Sequence, residues 1–393
     1  NPRQIMQFAE SLSTQDNWHK AVEEVLGGVQ AEVSETTVAV VFFTSHHVDA
    51  APQIAKSLCE GLGTENLIGC SAAAVVGGGR ECEDGPGLAL WTASLQSTTV
   101  VPMHLQFEPQ TDGGSFVGWP AKLPPTLATE SALVLLGDPF SFPADRLLER
   151  MNNDQPGVAV AGGMASAAMQ PGANRLIIGP RVEPAGGVAL WLDGGFQART
   201  LVSQGCRPIG PRFVITKAHR NLIQELSGKP ALAQLQALFP SLDEADQQLV
   251  REGLQLGRVM NEFQGEFARG DFLIRAVLAA DEKNGAIGVG DLMRVGQTVQ
   301  FHVRDAETAR EDLVELIDRL AADAPAAPCG GLLFTCNGRG SRLFRHAGHD
   351  VQGLRRLWPE LPVSGFFAAG EIGPVAGVNF LHGFTASALF FYE

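Results

Sequence analysis

A single tyrosine, six scattered cysteines and a shortage of basic side chains set the first limits on this 393-residue chain. Lys and Arg total 29 against 43 Asp and Glu, a net charge of −14, which excludes long-range attraction to nucleic acid or to an anionic membrane surface. The cysteines (Cys59, Cys70, Cys82, Cys206, Cys329 and Cys336) form no C-x-x-C pair and sit mostly in apolar surroundings, so buried reduced thiols and a cytoplasmic location are expected. No uninterrupted apolar run is long enough for a membrane helix. Residues 1–10 lack a basic head followed by an apolar core, so no signal peptide is expected. Gly77-Gly78-Gly79 is not followed by G-K-[ST], and Gly338-Arg339-Gly340 opens no G-x-G-x-x-G helix, so neither is a nucleotide fingerprint. His46-His47 with Asp49 lacks further ligand spacing and reads as a loop before a helix. No metal and no cofactor are expected.

What is present is apolar and rich in glycine: 45% hydrophobic residues and 45 glycines, clustered beside apolar runs where strands would end tightly. This length argues for two domains. Residues 1–33 read as two amphipathic helical stretches, with Ile5, Phe8, Ala9 and Leu12 making the first stripe. After them a unit recurs three times: strand, crossover helix, short strand stopping at Gly, glycine-rich bend, strand. The copies begin at Val38–Phe43, Ala132–Leu136 and Leu332–Thr335, and Trp91 and Trp191 stand at matching places in the last strands of the first two. Strand–helix–strand spacing favours a parallel pair with a right-handed crossover. Between the second and third copies the pattern turns antiparallel, with Lys283-Asn284-Gly285 as a hairpin signal. The expected class is α/β, mixed sheets built from repeated strand–helix–strand–strand units, in two domains with an internal duplication. The expected boundaries are a helical segment 1–35, an N-terminal domain 36–212 holding two copies, and a C-terminal domain 213–393 holding the antiparallel insert and the third copy.

The third copy carries the candidate chemistry. Leu332–Thr335 leads directly into Cys336-Asn337-Gly338-Arg339-Gly340, and between Leu361 and Tyr392 Glu371 is the one formally charged residue, set beside Gly370. An unpartnered buried carboxylate is costly, and Arg339 is the nearest partner in the same block. The pair reads either as an ion pair holding two loops or as a ligand site. In the second case Arg takes a carboxylate and Glu an ammonium, which suits a zwitterion such as an amino acid. Cys336 follows a strand as a nucleophile would, although a small buried residue is the simpler account.

The chain resembles the FIST (F-box and intracellular signal transduction) family in its N-terminal and C-terminal domains. The resemblance is carried by Leu67-Ile68-Gly69-Cys70-Ser71, Gly285-Ala286-Ile287-Gly288-Val289 with Phe301-His302-Val303-Arg304-Asp305, Phe334-Thr335-Cys336-Asn337-Gly338-Arg339-Gly340, Gly365–Pro374 and Leu381-His382-Gly383-Phe384-Thr385. It implies a sensory module for small ligands such as amino acids. No F-box, kinase or receiver segment is visible, so output would pass through a separate signalling protein. The expected ligand residues are Ser71, Cys336, Asn337, Gly338, Arg339, Gly370 and Glu371, in a cleft between the N-terminal and C-terminal parts, and no enzymatic activity is expected. The alternatives are a hydrolase using Cys336 or Glu371, and an interaction scaffold without a ligand.

Overall fold

The computed structural model describes residues 6–111, 113–120, 127–264, 266–267, 270–324 and 326–393. Two compact units result: Asn1–Val202 with Leu313–Leu381 and Thr385–Glu393, and Ser203–Asp312 with His382–Phe384. In the larger unit a common series (strand, crossover strand, helix, parallel strand, hairpin, closing strand) occurs three times. The first repeat runs β1 (Gln7–Ser13), α1 (Trp18–Gln30), β2 (Val38–Thr44), α2 (Ala51–Leu62), β3 (Leu67–Ala72), a hairpin of β4 (Val75–Gly77) and β5 (Arg80–Cys82), and β6 (Leu88–Ser94). The second runs β7 (Thr99–Glu108), β8 (Ser115–Val117), β9 (Ser131–Gly137), α3 (Ala144–Asp154), β10 (Ala159–Met164), a hairpin of β11 (Leu176–Ile178) and β12 (Arg181–Glu183), and β13 (Gly187–Asp193).

The third repeat opens with β14 (Gln197–Gln204), and the smaller unit is inserted next: β15 (Cys206–His219), β16 (Leu222–Leu226), β17 (Lys229–Pro230), α4 (Ala231–Leu238), α5 (Glu244–Glu252), β18 (Leu254–Val259), β19 (Phe272–Asp281), β20 (Ala286–Val289) and β21 (Thr298–Arg304). It resumes with α6 (Ala306–Asp323), β22 (Gly330–Cys336), α7 (Ser341–Phe344), α8 (His349–Arg355), β23 (Val363–Ala368), a hairpin of β24 (Glu371–Val375) and β25 (Val378–His382), and β26 (Thr385–Tyr392). No helix among the described residues is long and apolar enough to cross a membrane.

The hairpins are exchanged in a cycle. The first repeat's β4 pairs with β23 of the third, the second's β11 with β3 of the first, and the third's β24 with β10 of the second. Each repeat thereby supplies the edge that another lacks, and the three sheets leave no short strand to stand alone. Within each repeat the two crossover strands are parallel, as the strand–helix–strand spacing requires. Their common register pairs Gly69 with Val41, Gly162 with Leu135 and Gly365 with Leu333. A Cβ on these glycines would lie 2.3, 1.8 and 1.7 Å from the carbonyl oxygens of Val41, Leu135 and Leu333, so only glycine fits.

One face of all three sheets builds a shared core that includes Val40, Phe42, Trp91, Val134, Leu190, Phe334, Phe366 and Phe391. The opposite faces are covered separately, the first by α1 and α2, the second by α3, and the third by Leu313 and Ile317 of α6 with Val351 and Leu354 of α8. In the smaller unit an antiparallel sheet encloses its own core around Phe213, Leu256, Ile287 and Phe301. The expected hairpin at Lys283-Asn284-Gly285 joins β19 to β20.

Three expectations need correction. Residues 7–13 are not helical: β1 pairs antiparallel with β6, Phe8 opposite Ala93 and Leu12 opposite Ala89. Apolar spacing of three and four there fits a helix stripe, but Phe8, Ala9 and Leu12 are all buried because both faces of the strand are covered. Ile5 lies outside the described residues. The glycine-rich bends are the exchanged hairpins. Trp91 and Trp191 are one place out of register: Trp91 faces Val40, whose equivalent Val134 faces Leu190. A one-residue offset reverses the face, so Trp91 enters the shared core and Trp191 packs on the α3 side.

Candidate functional site

Because β22 is buried up to Thr335, the chain leaves the sheet abruptly at Cys336 and turns through Asn337–Gly340. Gly340 has φ +58°, and a Cβ there would meet Glu83 and Phe367 at 2.7 Å, so the turn requires glycine. The turn returns the Arg339 side chain into the third repeat, where it is 1% exposed. Its partner is Asp350, not Glu371. Nε donates to Oδ2 at 2.8 Å and Nη2 to Oδ1 at 2.7 Å, a bidentate pair with Asp350 also 1% exposed. Thr335 Oγ1 donates to the same carboxylate, His349 Nδ1 lies 3.0 Å from Oδ1, and the guanidinium sits 5.2 Å from the Phe344 ring centroid. Burial opposes charge on both groups, but each outweighs it for the other: Asp350 is held well below the usual carboxylate range and Arg339 is raised.

Glu371 is fully buried at the start of β24. Its Oε2 accepts from Thr385 N at 3.0 Å and Thr385 Oγ1 at 2.9 Å. Burial pushes its carboxyl up to about 8, against the Thr385 donors, the Cys336 thiol and the Arg339 charge. Glu371 and Arg339 are therefore neighbours within electrostatic reach without forming the expected ion pair. Gly338 N donates to Cys336 Sγ at 3.4 Å. Gly370 lends its carbonyl to Met164 N at 2.9 Å and so joins the third repeat to the second.

Glu81 of β5 and Glu83 just after it brace this region. Glu81 accepts from the backbone N–H groups of Gly348, Asp350 and Val351 at 2.9, 2.9 and 3.1 Å, capping α8. Burial, then the charge of Asp350, raises its carboxyl to about 7. Glu83 takes the backbone N–H and hydroxyl of Ser341. Beside them lies a cleft of about 70 Å³ between the first and third repeats, lined by Ala73, Ala74, Glu83, Asp84, Asn337, Ser341, Arg342 and Phe367.

Of the expected ligand residues, the structure groups Cys336, Asn337, Gly338, Arg339 and Glu371. Ser71 is elsewhere employed: fully buried, its Oγ accepts from Arg175 N at 2.9 Å in the joint between the first and second repeats. Sequence pattern does not mark Asp350, Glu81 or Arg342, since an acid at a helix start, an acid in a short strand and an arginine in a one-turn surface helix carry no local signal of their partners. Three polar atoms of the group are buried without a hydrogen-bond partner: Asn337 Oδ1, Arg339 Nη1 and Glu371 Oε1. Native interiors rarely leave such atoms unpaired, and together they form a set able to engage a small polar molecule. No trio of His, Cys, Asp or Glu among the described residues is placed to hold a metal ion.

Comparison with known proteins agrees with this architecture. Residues 37–229 match the FIST N domain and 231–374 the FIST C domain. An uncharacterized protein of Mycobacterium tuberculosis (strain H37Rv) is 40% identical over 390 residues, 99% of this chain and 100% of its own length. One from Mycobacterium bovis is 38% identical over 391 residues, 99% of each chain. The human F-box only protein 22 is 36% identical over 72 residues, 18% of this chain and 17% of that protein. With both domain models matched in order and full-length relatives at this identity, the chain belongs to the FIST family.

Proposed function

We propose that this protein is a ligand-binding sensor whose site is the loop after β22 together with Glu371, reached through the cleft between the first and third repeats. FIST domains are sensory, signal-transduction domains. The observation that carries the site is the set of three unpartnered buried polar atoms on Asn337, Arg339 and Glu371. A small polar or zwitterionic metabolite, an amino acid foremost, suits a cleft that presents Arg342 together with Glu83 and Asp84. The protein acts by binding rather than catalysis, in the cytoplasm, and passes its signal to a separate protein.

A thermal-shift screen with the amino acids and small metabolites tests this reading. A ligand at 100 times its Kd stabilises by about 2.7 kcal/mol. Asn337→Ala and Arg342→Ala are expected to abolish that shift while leaving the unliganded melting temperature nearly unchanged. A screen without a hit, or a hit untouched by both substitutions, overturns the reading.

A second reading, a hydrolase using Cys336, is favoured by one contact, the Gly338 N–H aimed at Sγ beside the Glu371 carboxyl. Rapid labelling of Cys336 by iodoacetamide at neutral pH, with turnover of an ester or amide substrate, would support it over the sensor.

A further inference from the structure

We infer that Arg339 and Glu371 together receive the carbonyl oxygen of an uncharged, amide-type group at the inner end of the ligand. This rests on the ligand-site reading above and adds the chemistry of the end that enters. Arg339 commits Nε and Nη2 to Asp350, which leaves Nη1 as a buried donor without a partner. Glu371 commits Oε2 to two donors of Thr385, and Oε1 has no hydrogen-bond partner. An oxygen already accepting two hydrogen bonds is the poorer place for a carboxyl's proton, so the proton belongs on Oε1. Burial raises this carboxyl to about 8, and the proton is therefore present at neutral pH. The result is two buried donors, Nη1–H and Oε1–H, with the Cys336 thiol, a weak acceptor, as the side chain that shares a hydrogen bond with the same carboxyl.

The balance of charge then decides between the acceptors that would fit. Arg339 is already neutralised by Asp350, and Glu81 lies close enough to Asp350 for its carboxyl to be raised by that charge. At this inner end a ligand carboxylate would add a negative charge facing Arg339, which Asp350 already neutralises, while Arg342 stands at the cleft outside, a costly arrangement in a dry interior. A carbonyl oxygen accepts from both donors and brings no charge. On the same loop, the buried Asn337 Oδ1 is an acceptor without a donor, the complement of an amide N–H. A site built on a hydrogen-bond pattern of this kind discriminates strongly against a ligand that leaves its groups unpaired.

Two isosteric pairs, acetamide with acetate and glutamine with glutamate, test the inference on the whole chain by calorimetry and thermal shift. The amide of each pair is expected to bind at least tenfold more tightly than the acid at pH 7. Its affinity falls between pH 7 and 9 as Glu371 ionises; Cys336 and Arg339 are the other titratable or charged groups acting on that carboxyl. Glu371→Gln keeps a donor at this place and is expected to bind the amide with no such pH dependence. Equal or tighter binding of the acids overturns the inference, as does an unchanged pH profile in Glu371→Gln. If neither pair nor any amino acid binds, the ligand-site reading falls and takes this inference with it. If the acids bind and the amides do not, the site stands and this inference alone fails.

Discussion

Ser166 of the second repeat donates its hydroxyl proton to the Phe367 carbonyl of the third, and Ser166 Oγ accepts from Ala73 N of the first at 2.9 Å. One side chain thus completes a cycle of backbone bonds. Ser166 N donates to Ser71 O at 3.2 Å and Ala369 N to Met164 O at 2.9 Å, so repeat two is tied to one and three to two. At the equivalent place between one and three, the Ser166 hydroxyl stands between donor and acceptor. Removing it leaves a buried N–H and C=O unpaired, which costs about 1–3 kcal/mol each before any relaxation. Ser166→Ala is expected to lose about 2 kcal/mol in urea unfolding. A loss within about 0.5 kcal/mol would show that the hydroxyl does not close the cycle.

The three register glycines make a sharper prediction. At Gly69, Gly162 and Gly365 an added Cβ would lie 2.3 Å or less from a backbone oxygen of the adjacent parallel strand. Backbone cannot swing aside as a side chain can, so each Gly→Ala is expected to cost upward of about 4 kcal/mol and to reduce soluble yield. Gly27 of α1 has nothing within 4 Å of its Cβ position. Gly27→Ala is expected to stabilise by about 0.5–1 kcal/mol, since glycine is a poor helix residue. Unfolding midpoints for the four variants check both signs.

The threefold pattern was legible because each crossover strand is apolar along its length and each following helix has a clear stripe, both local properties of residues such as Val38–Phe43 and Ile54–Leu58. The hairpin exchange was not. Each exchanged strand is short, and the partner of Val75-Val76 is Gly365-Phe366, far along the chain. Local pattern carries no information about such a pairing. The same limit explains the site: Arg339 and Glu371 stand out as charges among apolar residues, whereas Asp350 looks like an ordinary acid at the start of α8 until the fold buries it. Charge isolation marks which residues are unusual, and only the tertiary fold decides which of them pair.

Asp350 offers a test of that pairing. Breaking a buried ion pair from one side leaves the other charge uncompensated, at about 3–5 kcal/mol. Asp350→Asn is expected to fall in that range and, because the Asp350 charge helps raise Glu81, to lower the Glu81 carboxyl as well. Carboxyl titration by NMR reads the second effect. The double replacement Arg339→Met, Asp350→Leu removes both charges and is expected to recover much of the loss, which a double-mutant cycle in urea measures. A double variant no more stable than Asp350→Asn would mean that the pair is not the unit holding this loop.

Glu371 sets a stability change with pH whose sign follows from its burial. The unfolded chain releases this proton near the ordinary 4.5, while the fold keeps it to about 8. As pH rises between those values the unfolded state binds fewer protons than the folded one, so the contribution of Glu371 to stability declines across the window and levels off above it. Glu81, raised to about 7, acts in the same direction over a narrower range. Glu371→Gln preserves the shape and its amide oxygen still accepts from Thr385 N and Oγ1, but it removes the titration. The variant should match wild type within about 1 kcal/mol at pH 4.5 and exceed it by roughly 1–3 kcal/mol at pH 8, the gap widening steadily between. Urea unfolding at four pH values across this range measures the gap. A gap that stays constant, or that narrows toward pH 8, would place an ionised rather than a protonated Glu371 in the native protein at neutral pH, and with it an acceptor where a donor is proposed.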